Sequence, residues 1–315
     1  MSVLSEPYFH NEDAAFEHLE QSLWPEGPVC PHCGVVGHAT KLQGEKHRLG
    51  LWKCNEKACR KQFTVKVGTV FEHGRMPLHK MLQAVYLMCA SKKGVSAHQL
   101  HRTLRITYKS AWFLAHRIRE AMREGKLGPL GGESKVVEMD ETYVGGKDKN
   151  KHINKRRGKG GMDKEIVFAL VERGGSVRSH HVPSVSAKTL RPILKEQIAE
   201  ATRLMSDDGG ARVGREFPNH ETVNHSINEY VRGAVHTNTI EGYFSIMKRG
   251  ITGVYHHVSP QHLKRYLAEF DYRYNTRAAL GVCDEARTDG VLRGIVGKRL
   301  MYRDSSPASV RGRDS

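Results

Sequence analysis

Hydrophobic spacing changes character several times along the chain. Phe16, Leu19 and Leu23 recur at helical intervals and predict a short helical lead over residues 1–27. Between residues 28 and 72 the apolar positions come in short pieces, Leu51-Trp52-Lys53 and Gln62-Phe63-Thr64-Val65, which read as the strands of a ribbon. The helical period returns after Pro77, with Leu78, Met81, Leu82, Val85 and Met88 on one face, and Gly94 interrupts it. Ser96 is placed to cap a second helix carrying His98, Leu100 and Leu104, and Tyr108 to Met122 makes a third. These helices, within residues 76–124, have helix-turn-helix proportions, with Thr107 to Ser110 opening the candidate recognition helix. A plain linker bundle would show the same pattern.

Four glycines and Pro129 between Gly125 and Gly132 mark a boundary. Beyond it the pattern turns to strands, at Val136 to Val144, Ile166 to Val171 and Ser176 to Val182. A helix is expected from Ser186 to Ala199, with Pro192 in its first turns or bending it, then a strand from Thr202 to Ser206. Two more helices follow, Thr239 to Arg249 and Ser259 to Tyr274. In the second, Pro260 follows a capping serine, and Leu263, Tyr266, Leu267 and Phe270 share a face. Strands, a helix, a strand and further helices make residues 133–278 a mixed α/β domain. Residues 281–315 turn polar and are expected to form a flexible tail.

The cysteines change this picture most. Cys30 and Cys33 form C-x2-C, and Cys54 and Cys59, after a gap of 20 residues, form C-x4-C. Two close pairs joined by a short hairpin suit a tetrahedral, all-thiolate structural zinc site. Four protein ligands leave no open position for catalysis. His32 and His38 lie nearby as less favoured ligands. Cys89 falls in an apolar helical run, as a core residue does, and Cys283 has no partner.

Charge supplies the next constraint. Fifty Lys and Arg against 34 Asp and Glu leave a formal +16, which favours a polyanionic partner, nucleic acid first. Lys147 to Lys159 concentrates this charge in Lys147, Lys149, Lys151, Lys155, Arg156, Arg157 and Lys159, a basic loop suited to phosphate contacts. Lys109 would face DNA from the candidate recognition helix. Hydrophobic residues are 38% and charged residues 27% of the chain, which argues against both a membrane span and wholesale disorder. The longest apolar runs, such as Ile166 to Val171, fall far short of the roughly 20 residues a bilayer needs. Glu6, Glu12 and Asp13 precede no basic-then-apolar leader, so the expected location is cytoplasmic.

Three carboxylates are candidates for chemistry. Asp140 lies near the end of a predicted strand, Asp207 follows Leu204-Met205-Ser206, and Glu241 comes 34 residues after Asp207. Lys248 lies about 340° around the helix from Glu241, on the same face two turns away. Three acids brought together repel one another unless divalent cations lie between them, and hard oxygen ligands suit Mg2+ or Mn2+. Two such ions can drive an in-line phosphoryl displacement. For Glu138, Glu141 and Asp208 the preferred reading is solvation at strand edges, with contacts behind the ligands as the exception. The histidines, including His225, His236, His256 and His257, lack zinc-hydrolase spacing. No G-x-x-x-x-G-K-[ST] pattern offers a nucleotide triphosphate site.

Asp140 to Gly146, Thr222 to Ser226, His236 to Gly250, Tyr255 to Ser259 and Phe270 to Arg277 together resemble the ISXO2-like transposases, of the IS1595 group of bacterial insertion sequences. The four-cysteine module resembles the zinc ribbon of that group, and the likeness spans about residues 15–278. It implies a ribonuclease-H-like catalytic domain, a mixed sheet with flanking helices, behind the ribbon and the helical module. By motif, Asp140, Asp207 and Glu241 are the implied acidic triad and Lys248 its accompanying lysine. Asp208 competes with Asp207, and Asn238 competes with Glu241 for the third position. Asn238, His236 and Arg249 join the DNA-contact candidates. The implied activity is cleavage of insertion-sequence ends and joining of their 3′-hydroxyls to target DNA. The partners are terminal inverted repeats, target DNA and further copies of the chain, in a bacterial nucleoid. The rivals are a nuclease without strand transfer and an inactive DNA-binding remnant or regulator.

Overall fold

Asn11 opens the first helix, α1 (Glu12–Leu23), its side-chain oxygen accepting from Ala14 N at 3.1 Å. The computed structural model to which it belongs describes residues 2–125, 127–146, 164–210 and 213–301. Two units separate, Met1–Arg123 with Val282–Ser315, and Glu124–Gly281.

In the first unit α1 buries Phe16 and Leu19, and Phe9 is buried just ahead of it. The expected lead is thus part of a core. The ribbon consists of β1 (Ala39–Lys41), β2 (Trp52–Cys54) and β3 (Gln62–Phe63), antiparallel in sequence order. Next comes α2 (Leu78–Ala90), whose cap position, Pro77, makes no side-chain cap bond. Glu12 replaces it, accepting from Leu78 N at 2.6 Å and His79 N at 3.1 Å. Ser96 caps α3 (Ala97–Leu104) through Gln99 N, and Thr107 caps α4 (Tyr108–Met122) through Ser110 N. Between them Arg105 takes a left-handed φ of 51°, which turns the chain within a few residues. Leu100, Leu104, Leu114 and Ile118 fill the space between α3, α4 and α2.

The stretch after residue 281 corrects an expectation. Instead of fraying, Asp284–Arg293 forms α8, which packs on α1, α2 and α4. Val291, Leu292 and Ile295 are buried, and Arg287 donates to Cys89 O at 2.9 Å. The chain then reaches Thr69 and Val70, where Val70 N donates to Ile295 O at 3.2 Å and Thr69 bridges Val296. A narrow apolar stripe, diluted by Asp, Glu, Thr and Arg, was invisible to average polarity. The tail expectation for residues 302–315 lies outside the described residues.

The second unit is built on a five-stranded sheet. Its strands are β4 (Val136–Val144), β5 (Glu165–Glu172), β6 (Val177–Val182), β7 (Arg203–Ser206) and β8 (His220–Thr222), in the order β6-β5-β4-β7-β8. β4, β5 and β6 form an antiparallel meander, while β7 runs parallel to β4 and β8 parallel to β7. β5 is apolar on both faces because both faces are covered. Val167, Ala169 and Val171 meet α6 (Asn238–Gly250) and α7 (Pro260–Asn275). Phe168 and Leu170 meet α5 (Ala187–Gln197). Burying each large apolar side chain stabilises by about 1.5–3 kcal/mol, so the sheet is held from both sides. Pro192 lies inside α5, just past its first turn. A small hairpin, β9 (Val231–Arg232) with β10 (Val235–His236), leads into α6. This mixed sheet with flanking helices is a ribonuclease-H-like fold, in the same chain as the four-cysteine ribbon. No helix among the described residues is long and apolar enough to cross a membrane.

Candidate active site

The ribbon brings its four thiols together. Cys30 Sγ lies 3.8 Å from Cys59 Sγ and Cys33 Sγ lies 3.7 Å from Cys54 Sγ, with all four sulfurs within 4.8 Å of one another. A tetrahedron of Zn–S bonds of about 2.3 Å has an edge of about 3.8 Å, so the set fits zinc. Cys30 and Cys54 are fully buried beside Phe63, and Trp24, Trp52 and Val67 pack around them. His32 and His38 are not in the cluster.

In the second unit β4 alternates its side chains between the two faces, so Glu138 and Asp140 point the same way. The β4–β7 register pairs Glu138 with Met205, and Asp140 and Asp207 each follow two residues further along these parallel chains. Asp207 directly follows β7 and accepts from Gly210 N at 3.0 Å, fixing the turn there. Glu241 sits in the first turn of α6, where its Oε1 accepts from Thr237 Oγ1 at 3.0 Å. Asp140 feels the charge of the other two carboxylates. Burial, then the negative charge of Asp207, pushes the Asp140 carboxyl up to about 7. Glu141 and Glu241 add to this, against a 2.7 Å hydrogen bond from Glu141 N that lowers it.

Among the described residues the thiols are the one group of three or more metal-binding side chains that closes to 4.8 Å. The carboxylates are more widely spaced. Lys248 is exposed two turns along α6 from Glu241, and Arg249 beside it donates to Ser245 O at 3.2 Å. Asn238, the first residue of α6, is exposed, and its backbone N donates to His236 Nδ1 at 3.3 Å. Lys109 is exposed in the first turn of α4, in the other unit. Lys147, Lys149, Lys151, Lys155, Arg156 and Arg157 lie outside the described residues.

Two of the three acids read as solvated are not. Glu138 is wholly buried, held by Arg173 Nε at 2.6 Å, Thr239 Oγ1 at 2.9 Å and Ile240 N at 2.9 Å. Glu141 is partly buried, and burial followed by the charge of Asp207 raises its pKa. A side-chain carbon on Gly209 would stand 3.3 Å from Asp207 Oδ1 and 3.7 Å from Glu141 Oε1, so both carboxylates converge on this turn. The signal was available in Glu141 following Asp140 directly, but only the turn after β7 brings Asp207 near it. Asp208 is exposed as expected and accepts from Ser226 Oγ at 3.2 Å.

A ribonuclease-H-like sheet bearing converging carboxylates, in a chain with a thiolate ribbon, defines an enzyme of the DDE transposase and nuclease type. Residues 129–275 match the ISXO2-like transposase domain and residues 10–62 the transposase zinc-ribbon domain. An uncharacterized protein in transposable element ISH50 of Halobacterium salinarum is 30% identical over 283 residues, covering 84% of this chain and 91% of that protein. The chain belongs to the ISXO2-like transposases. Its zinc-ribbon match begins before the first cysteine and takes in α1, in keeping with the packing of that helix.

Proposed function

We propose that the chain cuts the ends of an insertion sequence and joins the freed 3′-hydroxyls to target DNA, using Asp140, Asp207 and Glu241. The observation that carries this reading is the placing of Asp140 on β4 within the field of Asp207 and Glu241, its carboxyl pushed up to about 7 by burial first and then by those negative charges. The donor set is all carboxylate, the hard-oxygen chemistry that Mg2+ and Mn2+ prefer. When bound, a pair of such ions would activate the attacking hydroxyl and stabilise the leaving oxygen. The protein's own part is positional. Asp140 and Asp207 come from adjacent parallel strands, Glu241 from the helix over them, and Lys248 lies along that helix where a DNA phosphate can reach it.

DNA is held elsewhere as well in this reading. From His73 to Arg119 the chain has no Asp or Glu against nine Lys and Arg, and this stretch contains α2, α3 and the first twelve residues of α4. Its charge and helix-turn-helix geometry suit the α4 N-terminus, with Lys109, to a DNA groove and its phosphates. The ribbon, braced by zinc, would orient the same ends. Because two ends are joined in one event, the working form is a dimer or larger assembly on DNA.

The test is a strand-transfer assay with purified protein, labelled DNA from both flanks of its gene, a plasmid target, and Mg2+ or Mn2+. Joined products that require metal and native end sequence support the proposal. Cleavage without joining would replace it with a nuclease, and end binding without chemistry in either metal would replace it with a regulator.

A further inference from the structure

The helix that carries Glu241 lacks the cap its own sequence offers. Thr237 occupies the cap position of α6 but makes no cap bond, and its hydroxyl donates instead to Glu241 Oε1. The N–H groups of a first helical turn need acceptors from outside the helix. Glu138 provides one from β4, a hundred residues earlier in the chain. Its Oε2 accepts from Ile240 N at 2.9 Å, the third residue of the helix and a usual target of a capping side chain. Its Oε1 accepts from Thr239 Oγ1 at 2.9 Å.

A fully buried carboxylate needs a counter-charge, and Arg173 supplies it with Nε at 2.6 Å from Glu138 Oε1. Arg173 also donates to Ala234 O at 2.8 Å, His236 O at 2.9 Å and His236 Nδ1 at 3.0 Å. It thereby fixes β10, the strand that enters α6. Glu138 lies two residues before Asp140 on the same face of the same strand. One strand therefore bears the first carboxylate and caps the helix that bears the third.

We propose that Glu138, locked by Arg173, is a positioning residue that sets how Asp140 and Glu241 stand to one another, and so how tightly the site takes a divalent cation. This rests on the metal reading above. Groups that orient metal ligands without touching the ion typically change affinity or activity by about 10–100-fold when removed. An ion pair serving stability alone would change neither in the folded protein.

The experiment measures Mn2+ binding by calorimetry on the full chain, and end cleavage against Mn2+ and Mg2+ concentration. It compares wild type, Glu138→Gln, Glu138→Asp, Thr239→Val and Glu241→Gln. Glu138→Gln is expected to weaken Mn2+ binding about 10–100-fold, to shift the metal requirement of cleavage upward, and to recover partly at high Mn2+. Glu138→Asp, which keeps the charge, should recover part of the affinity. Thr239→Val keeps the shape and loses one hydrogen bond, so a shift of about threefold in the same direction is expected. Should Glu138→Gln fail to fold, Thr239→Val carries the decision. Wild-type Mn2+ affinity and metal requirement in the folded variants would overturn the proposal. If Glu241→Gln itself leaves metal binding and cleavage intact, the site reading fails instead, so the two failures are distinguishable.

Discussion

The thiols of the first unit and the carboxylates of the second are gathered by different means. The four cysteines fall between residues 30 and 59, Cys54 at the end of a three-residue strand and the others in the connections around such short strands, and their sulfurs close to within 4.8 Å. Asp140, Asp207 and Glu241 span a hundred residues and come from a strand, the end of its parallel neighbour and a helix. Thiols can be neutral until metal arrives, so they close without it. Carboxylates at neutral pH repel, and the rest of the fold must hold them in place. The rigidity is visible: a five-stranded register, a buried glutamate at the head of α6, and Asp271 beneath its middle, accepting from Tyr243 and Ser179.

That contrast can be broken most sharply at the carboxylates. Asp140→Asn and Glu241→Gln should each reduce end cleavage by about a thousandfold or more, since several kcal/mol of transition-state stabilisation are at stake. Zinc content and thermal unfolding should stay close to wild type. A variant that keeps a tenth of the activity would remove its residue from the site.

Cys54→Ser should take the zinc content, read by elemental analysis, from one per chain to near zero. Zinc binding and ribbon folding are one equilibrium, so the fluorescence of Trp24 and Trp52 should change and DNA-end binding fall by about tenfold. Unaltered zinc content would show that three thiolates and another ligand suffice.

A smaller effect tests the second unit without touching the carboxylates that would bind metal. Burial raises Asp271 to about 7, helped by the charge of Glu124 and opposed by hydrogen bonds from Tyr243 and Ser179. Its folded-state pKa lies above the unfolded value of about 4, so the native state holds the extra proton between those limits. This contribution to stability is complete below pH 4 and is lost as pH rises through 7. Denaturant midpoints of wild type should therefore fall relative to those of Asp271→Asn between pH 4 and 7, and parallel curves would refute the assignment. The smallest expected change is at Lys109: its replacement by Ala should weaken DNA binding a few-fold at every sequence and lower the salt slope by about one.

Much of the architecture was legible before any coordinates. The thiol spacing, the three helices after Pro77 with the Ser96 cap, and the apolar run of β5 all follow from local rules that neighbouring residues satisfy by themselves. The family motifs brought Asp140, Asp207 and Glu241 forward as candidates, but nothing local to any of them says how close they lie. Glu138 looked like one more acid on a strand, and α8 like the start of a polar tail. Both misreadings have one cause. Average polarity describes a segment, whereas burial is decided by what packs against it from elsewhere in the chain.

By itself the sequence determined those contacts whose partners lie within a few tens of residues: helix caps, strand alternation and the zinc ligands. Tertiary structure alone decided that Glu12 caps α2, that Glu138 caps α6 in place of Thr237, and that Arg173 makes the second of these tolerable. A buried carboxylate is stable only where a cation and donors converge on it, and that convergence exists only after the sheet has formed.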